Sequence, residues 1–408
     1  GGHFLGWRIA ALATITLALT GPGQTIGVSV FVDPMIEALS LTRSELSTAY
    51  LIGTLVGAAA LVPVGRAIDR IGTPRSMTLT GLAFGIALLF MSGVQGFVTL
   101  ALGFILIRWL GQGSLQLVST LAITPWFERR RGTVFGITST VGATLMVLTP
   151  IVLGALIAVT DWRTAWVLAA LAVWLVVVPI ARFGIVNRPA DVGQYPDGDP
   201  APHPSDPPPP VVHARTRREA VAQSRFWVLT LVVATTSMLY TALAFHQISI
   251  LGEQGLSLTE AAVVFLPQIA GLVVAGLLAG YLADRVPARF LLSMSMVLLA
   301  ISLVLAATLA PGWQIVLYAV VLGAAAGSQR PLMATLLPRW YGLANIGSIQ
   351  GLAALTAVAA SAAGPVALSL AADAIGGYAS AAALLMAVPM VMAIAALTVS
   401  EPELQAAT

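Results

Sequence analysis

The sequence predicts an all-α membrane protein of twelve transmembrane helices in two pseudo-symmetric six-helix bundles. Three observations carry that expectation. First, 58% of the 408 residues are hydrophobic and 9% are charged, and the mean hydropathy is +0.92. No soluble domain of this length buries so much apolar surface, so lipid must be the solvent. Second, twelve apolar stretches are each long enough to cross ~30 Å of hydrocarbon at about 1.5 Å per residue. Third, the chain repeats itself. Ser114-Leu115-Gln116 with Trp126-Phe127 recurs 214 residues on as Ser328-Gln329-Arg330 with Trp340-Tyr341. Gly65 and Asp69-Arg70 recur as Gly280 and Asp284-Arg285 at an offset of 215, and Ser40-Leu41-Thr42 recurs as Ser257-Leu258-Thr259 at 217. A membrane protein of two parallel halves has a seam between them, and such a seam is where a carrier holds its cargo.

The predicted spans are 9–32, 45–65, 76–95, 98–121, 133–158, 164–183, 226–249, 261–282, 289–310, 314–337, 347–371 and 379–399. In span 1, Gly21-Pro22-Gly23 removes an N–H and frees the backbone just before Gln24, which predicts a break. Thr42-Arg43-Ser44-Glu45 has capping-box spacing and starts span 2, and Thr259-Glu260 opens span 8. Span 10 carries Pro331 directly after Arg330, so its helix is loosened there. His3 to Arg8 runs straight into span 1, so no cleavable signal peptide is expected.

Residues 184–225 interrupt the apolar pattern. Pro207 to Pro210, several aspartates and Arg215, Arg217 and Arg218 form a linker that has no core to bury, with a short amphipathic helix expected from Arg215. It separates a first bundle, 1–183, from a second, 226–408. All twenty basic residues are arginine. With the N-terminus inside, sixteen of them fall on the cytoplasmic side, and only Arg43 and Arg163 fall outside. The expectation is a multi-pass protein of the cytoplasmic membrane with both termini in the cytoplasm. The arginines also explain a pI near 9.6 without any nucleic-acid partner. Cysteine is absent, so disulfide and thiolate chemistry is excluded.

At this point the chain resembles the major facilitator superfamily over essentially its whole length. Gly65-Arg66-Ala67-Ile68-Asp69-Arg70-Ile71-Gly72, with Arg75, resembles the signature loop between spans 2 and 3, although Thr73-Pro74 replaces a basic position. Arg108, Gly111 and Gly113 resemble the span-4 motif. Trp126-Phe127-Glu128-Arg129-Arg130-Arg131-Gly132, Gly27-Val28-Ser29-Val30-Phe31 with Pro34, and Asn187-Arg188-Pro189 with Tyr195-Pro196-Asp197-Gly198-Asp199 resemble the monocarboxylate and oxalate–formate branch. Those carriers use a basic or charged residue in span 8, and the oxalate–formate carriers a lysine in span 11. Here span 8 offers only Gln268 and there is no lysine, so the resemblance does not transfer a substrate.

Arg108 lies near the middle of span 4, where a guanidinium costs about 2.5–3.5 kcal/mol and calls for a wet cavity or a partner. It is the first candidate for binding a carboxylate through two parallel N–H donors, and the alternative is a structural arginine bonded to neighbouring carbonyls. Arg330 is a second candidate cation in the other half, or else a side chain snorkelling to the inner interface. His246 is the only histidine within a span. It is the candidate for proton coupling, against a plain hydrogen-bonded histidine. No metal-ligand spacing surrounds it, so neither metal nor cofactor is expected.

Gln24, Gln112, Gln116, Tyr240, Gln247, Gln268 and Gln329 supply neutral hydrogen-bonding groups at membrane depth and complete the candidate substrate-binding set. No Asp or Glu lies well inside a span, which beside two buried arginines favours an anionic cargo. The resemblance implies gating by Asp69, Arg70, Arg75, Glu128, Arg129, Asp284 and Arg285 at the inner ends of the spans, with Asp69 facing a helix N-terminus.

The leading expectation is a secondary transporter of a small organic anion, monocarboxylates being favoured, that works as a monomer in the lipid bilayer, with protons as a candidate second partner. Efflux of hydrophobic drug-like compounds is the alternative, and a membrane receptor without transport is the alternative of a different class. An enzyme is not expected. There is no Gly-x-Ser-x-Gly, HExxH or phosphate-binding glycine loop, and no paired buried carboxylates.

Overall fold

The computed structural model describes residues 4–60, 64, 68, 70–127, 130–198, 215–283, 285–342 and 346–400. These residues are helices and turns without a strand. Among the described residues, ten helices are long and apolar enough to cross a membrane, from Thr73–Ser92 to Tyr378–Leu397. Of the first two predicted spans, one is broken and the other is described only in part. Span 1 is in pieces: Gly6–Ala18, a tight turn Gly21–Gly23, then Thr25–Ser29. The Gly-Pro-Gly sequence breaks it where expected, and Gln24 is extended at φ −90°, ψ 158°. Span 2 is described as Arg43–Ala59, and its continuation lies largely outside the described residues. Its start carries the full capping box: Glu45 N–H donates to Thr42 Oγ1 at 3.1 Å, and Thr42 N–H donates to Glu45 Oε2 at 2.7 Å.

Most other predicted spans appear within a few residues of their expected limits. Span 4 runs from Phe97 to Trp126 and span 6 from Trp162 to Gly184. Span 7 is Ser224–Gly252 and span 11 is Ile346–Ile375. In the linker, Thr216 caps the short helix Arg217–Val221, whose Arg217, Arg218 and Glu219 are exposed while Ala220 is buried.

Contacts divide the chain into two compact units. The first comprises Gly1–Asp206, Phe245–Gly252 and Leu256–Val263, and the second comprises Pro207–Ala244, Glu253–Gly255 and Val264–Thr408. In the first, spans 3 and 6 pack closely: Gly81 meets Val177, and Trp174 Nε1 donates to the Leu82 carbonyl at 3.0 Å. Phe31 and Trp166 stack at 3.9 Å between ring centres. The last turns of span 7 and the first of span 8 also belong to this unit. There the Phe245 ring meets Tyr50 at 4.5 Å, Ser249 Oγ donates to Asp33 Oδ1 at 2.8 Å, and Ala262 faces Gly154. In the second unit, spans 8 and 10 approach until glycine is required, with Gly323 against the backbone of Gln268 and Gly271 against Val320. Exposed side chains such as Leu79, Val98, Leu175, Leu277 and Ile394 are apolar. An apolar exterior is what a bilayer solvates and water does not.

Candidate functional site

Arg108 is the centre of the first unit's polar interior. Span 4 is α-helical over Phe97–Ile107, widens to a π-helix over Arg108–Leu115, then resumes as Gln116–Ile123. Gly111 and Gly113 lie inside the wide turns, where weak helix formers tolerate the change. Two neighbours close onto this segment. A Cβ at Gly23 would lie 2.7 Å from the Ile107 carbonyl oxygen, and one at Gly57 would lie 3.0 Å from Trp109 N. Glycine at both positions therefore lets spans 1 and 2 reach the backbone beside Arg108.

The guanidinium is only 3% exposed. Nε donates to Thr54 Oγ1 at 3.1 Å, and Nη1 donates to the Gly23 carbonyl at 3.2 Å. That carbonyl is released by the break in span 1. The guanidinium carbon sits 4.8 Å from the centre of the Tyr50 ring, a cation–π distance. Tyr50 is fully buried, and its hydroxyl is 2.7 Å from Thr25 Oγ1. All of these partners are neutral. Two of the five donors of a guanidinium are engaged, and no carboxylate within the described residues pairs with it. The bond to Gly23 is what a structural arginine makes. The remaining donors on a buried, unneutralised charge are what an anion site needs.

Around this centre, Gln24 Nε2 donates to Gln116 Oε1 at 3.2 Å and to Thr20 Oγ1 at 3.1 Å, tying the broken span 1 to span 4. Gln112 is half-buried four residues after Arg108. His246 is fully buried, its Nε2 3.4 Å from Ser47 Oγ, and it follows Phe245, which packs on Tyr50. Both amide atoms of Gln247 are buried without a partner among the described residues. The first unit thus contains Arg108, Gln24, Gln112, Gln116, His246 and Gln247, with Gln24 bonded to Gln116 and His246 beside Ser47.

The second unit holds the others. Gln268 is buried, also with both amide atoms unpartnered among the described residues. Gln329 Nε2 donates to the Val233 carbonyl at 3.1 Å, joining spans 10 and 7. Tyr240 is half-buried on span 7. The Arg330 backbone lies in the helix Gln329–Tyr341, and its side chain is outside the described residues.

Of the expected gating residues, Asp69, Glu128, Arg129 and Asp284 lie outside the described residues. Arg70 and Arg75 are exposed. Arg285 turns back onto its own helix end: Nη1 donates to the Tyr281 carbonyl at 2.8 Å, and the guanidinium lies 3.8 Å from the Tyr281 ring centre.

Tyr50, Thr54 and Thr25 are site residues that the sequence reading did not select. A signal was present, since Tyr50 and Thr54 are four residues apart and share a helix face with Gly53 and Gly57.

The Major Facilitator Superfamily profile matches residues 10–277 and 248–408. No curated protein is similar at a significant level. Among solved structures, a bacterial homologue of the human lysosomal transporter Spinster, inward-facing and occupied, is 18% identical with a TM-score of 0.75 and covers 97% of this chain and 96% of its own. The same transporter in its unoccupied inward-facing form has a TM-score of 0.71 at 18% identity, with the same coverage of 97% and 96%. A mutant of the nucleoside transporter NupG is 13% identical with a TM-score of 0.75, covering 96% of this chain and 99% of its own. At these identities the likeness establishes the fold.

Proposed function

The chain belongs to the major facilitator superfamily, and on that premise we propose that it is a secondary carrier of a small organic anion, moved by alternating access of its two halves. One observation carries the choice of an anion. Arg108 is buried, permanently charged, and met among the described residues by Thr54 Oγ1, the Gly23 carbonyl and the Tyr50 ring, all neutral. An ion of that size loses several kcal/mol of solvation on burial, which neutral partners offset only in part. A carboxylate arriving at the free N–H groups supplies the missing charge and a fork that matches the guanidinium. Gln112 and the unpartnered amide of Gln247 are suited to the rest of a small polar cargo. Monocarboxylates are the favoured class because one carboxylate satisfies one arginine. The arginine distribution supports cytoplasmic placement of both termini.

The test is a thermal-shift screen of purified protein with monocarboxylates, dicarboxylates, nucleosides and hydrophobic cations. A ligand that binds only the folded state raises its unfolding temperature with concentration. Selective stabilisation by small carboxylates is the expected result. Selective stabilisation by nucleosides or by hydrophobic cations would replace this reading with another.

A further inference from the structure

Away from the Arg108 region, the first unit has a second concentration of positive charge. Spans 3 and 6 are antiparallel neighbours, so the N-terminus of Thr73–Ser92 and the C-terminus of Trp162–Gly184 meet at one face. At about 1.5 Å per residue these helices are about as long as a bilayer core is thick, which puts both ends at headgroup depth. Between them is a cleft of about 600 Å³ lined by Gly72, Arg75, Leu79, Arg182 and Asn187, among others. Its volume is within the range of small-ligand sites, about 300–1,000 Å³.

The lining is one-sided in charge. Arg75 and Arg182 are exposed arginines, and among the described residues no Asp or Glu lines the cleft. Neither guanidinium forms an ion pair within the described residues; Arg182 rests 5.7 Å from the Phe183 ring. Asn187 adds a donor of fixed orientation. Its Oδ1 accepts from Thr73 N–H at 3.0 Å, which assigns the amide oxygen and leaves the Nδ2 hydrogens for a ligand. Gly72, at φ 82°, makes the turn that brings Asn187 to the helix start. Deeper into the span the wall is apolar: Leu79 lines the cleft about a turn below Arg75 and is 59% exposed, while Ile71 and Phe183, 39% and 78% exposed, flank the arginines at the headgroup end.

We propose that this cleft binds the phosphodiester headgroup of an anionic phospholipid, with Arg75, Arg182 and Asn187 holding the phosphate and an acyl chain lying along Leu79. Two guanidiniums without an ion pair among the described residues, together with an amide donor, suit a phosphate. The apolar wall running from the cleft into the span favours a lipid over a free phosphate, which has nothing to lay against Leu79.

The test uses full-length protein in detergent and native mass spectrometry, with phosphatidylglycerol, phosphatidylcholine of the same chains, and inorganic phosphate as separate additions. The expected result is preferential retention of phosphatidylglycerol, weakened about tenfold or more in Arg75→Gln/Arg182→Gln and largely kept in Arg75→Lys/Arg182→Lys. Equal retention of both lipids, or undiminished retention in the glutamine variant, overturns the proposal. So does competition by inorganic phosphate alone at equal concentration, which would mark a soluble-anion site. A photoreactive phosphatidylglycerol on the wild-type protein needs no variant to fold. Adducts in 71–79 and 181–187 are expected, and labelling confined to other segments refutes the assignment.

Discussion

Replacing Arg108 separates a substrate-binding arginine from a structural one. In the structure the side chain makes two hydrogen bonds to neutral acceptors and one ring contact, and it is 3% exposed. Arg108→Lys keeps the charge but presents a point in place of a fork, so a bound carboxylate loses one charge-assisted hydrogen bond. Such a bond is worth about 1.5–3 kcal/mol, and affinity should fall roughly ten- to hundredfold. Arg108→Gln removes the charge. Truncating one partner of a buried charged pair costs about 2–5 kcal/mol, or roughly thirtyfold to several thousandfold in affinity. Without ligand the same variant should unfold at or above the wild-type temperature, because the desolvated charge is gone. The assay is calorimetric titration of the carboxylate that stabilises the wild type, with thermal unfolding measured in parallel. A glutamine variant that binds within threefold of wild type but melts markedly lower would refute the reasoning and identify Arg108 as a structural brace.

Gly23→Ala should lower thermal stability by about 1–3 kcal/mol, since its Cβ would sit 2.7 Å from the Ile107 carbonyl oxygen; an unchanged unfolding temperature contradicts that close approach. His246→Gln should abolish substrate-driven acidification in liposomes while labelled substrate still exchanges, because imidazole is the side-chain type that can take up and release a proton near neutral pH and His246 is buried beside Ser47; unchanged proton movement per substrate leaves it a plain partner of Ser47. Acid should also weaken the fold through two caps outside the spans. Asp161 is held below the usual carboxylate range by hydrogen bonds from Thr164 and Arg163, and Glu219 by those from Thr216. A depressed folded pKa contributes stability above the unfolded value, and that contribution is lost as pH falls through the folded one. Asp161→Asn and Glu219→Gln should therefore flatten the acid limb of the stability profile, and a limb as steep as wild type would discount these caps.

What the sequence reveals follows the range of the forces involved. Span positions are legible because hydrophobicity acts over twenty residues at once, and the repeat is legible because both halves solve the same packing problem. The break in span 1 is readable because proline and glycine act on their own backbone. Arg108 stands out as a charge where none is cheap. Its partners do not: Tyr50 and Thr54 look like ordinary residues of an apolar helix, and only the packing of span 2 against span 4 makes them its neighbours. The π-helix after Arg108 is likewise set by packing, with Gly111 and Gly113 no more than permissive. The grouping of His246 with Ser47, and of Ser249 with Asp33, joins residues 199 and 216 positions apart, which no local pattern encodes.

The most direct measurement is counterflow of a labelled monocarboxylate into liposomes carrying the purified protein and preloaded with the same unlabelled anion. The account predicts transient accumulation above equilibrium in the wild type, near-background uptake in Arg108→Gln, and no accumulation of a neutral isostere. Binding without flux would indicate a receptor, and equal counterflow of the neutral isostere, or wild-type counterflow in Arg108→Gln, would contradict the anion carrier built around Arg108.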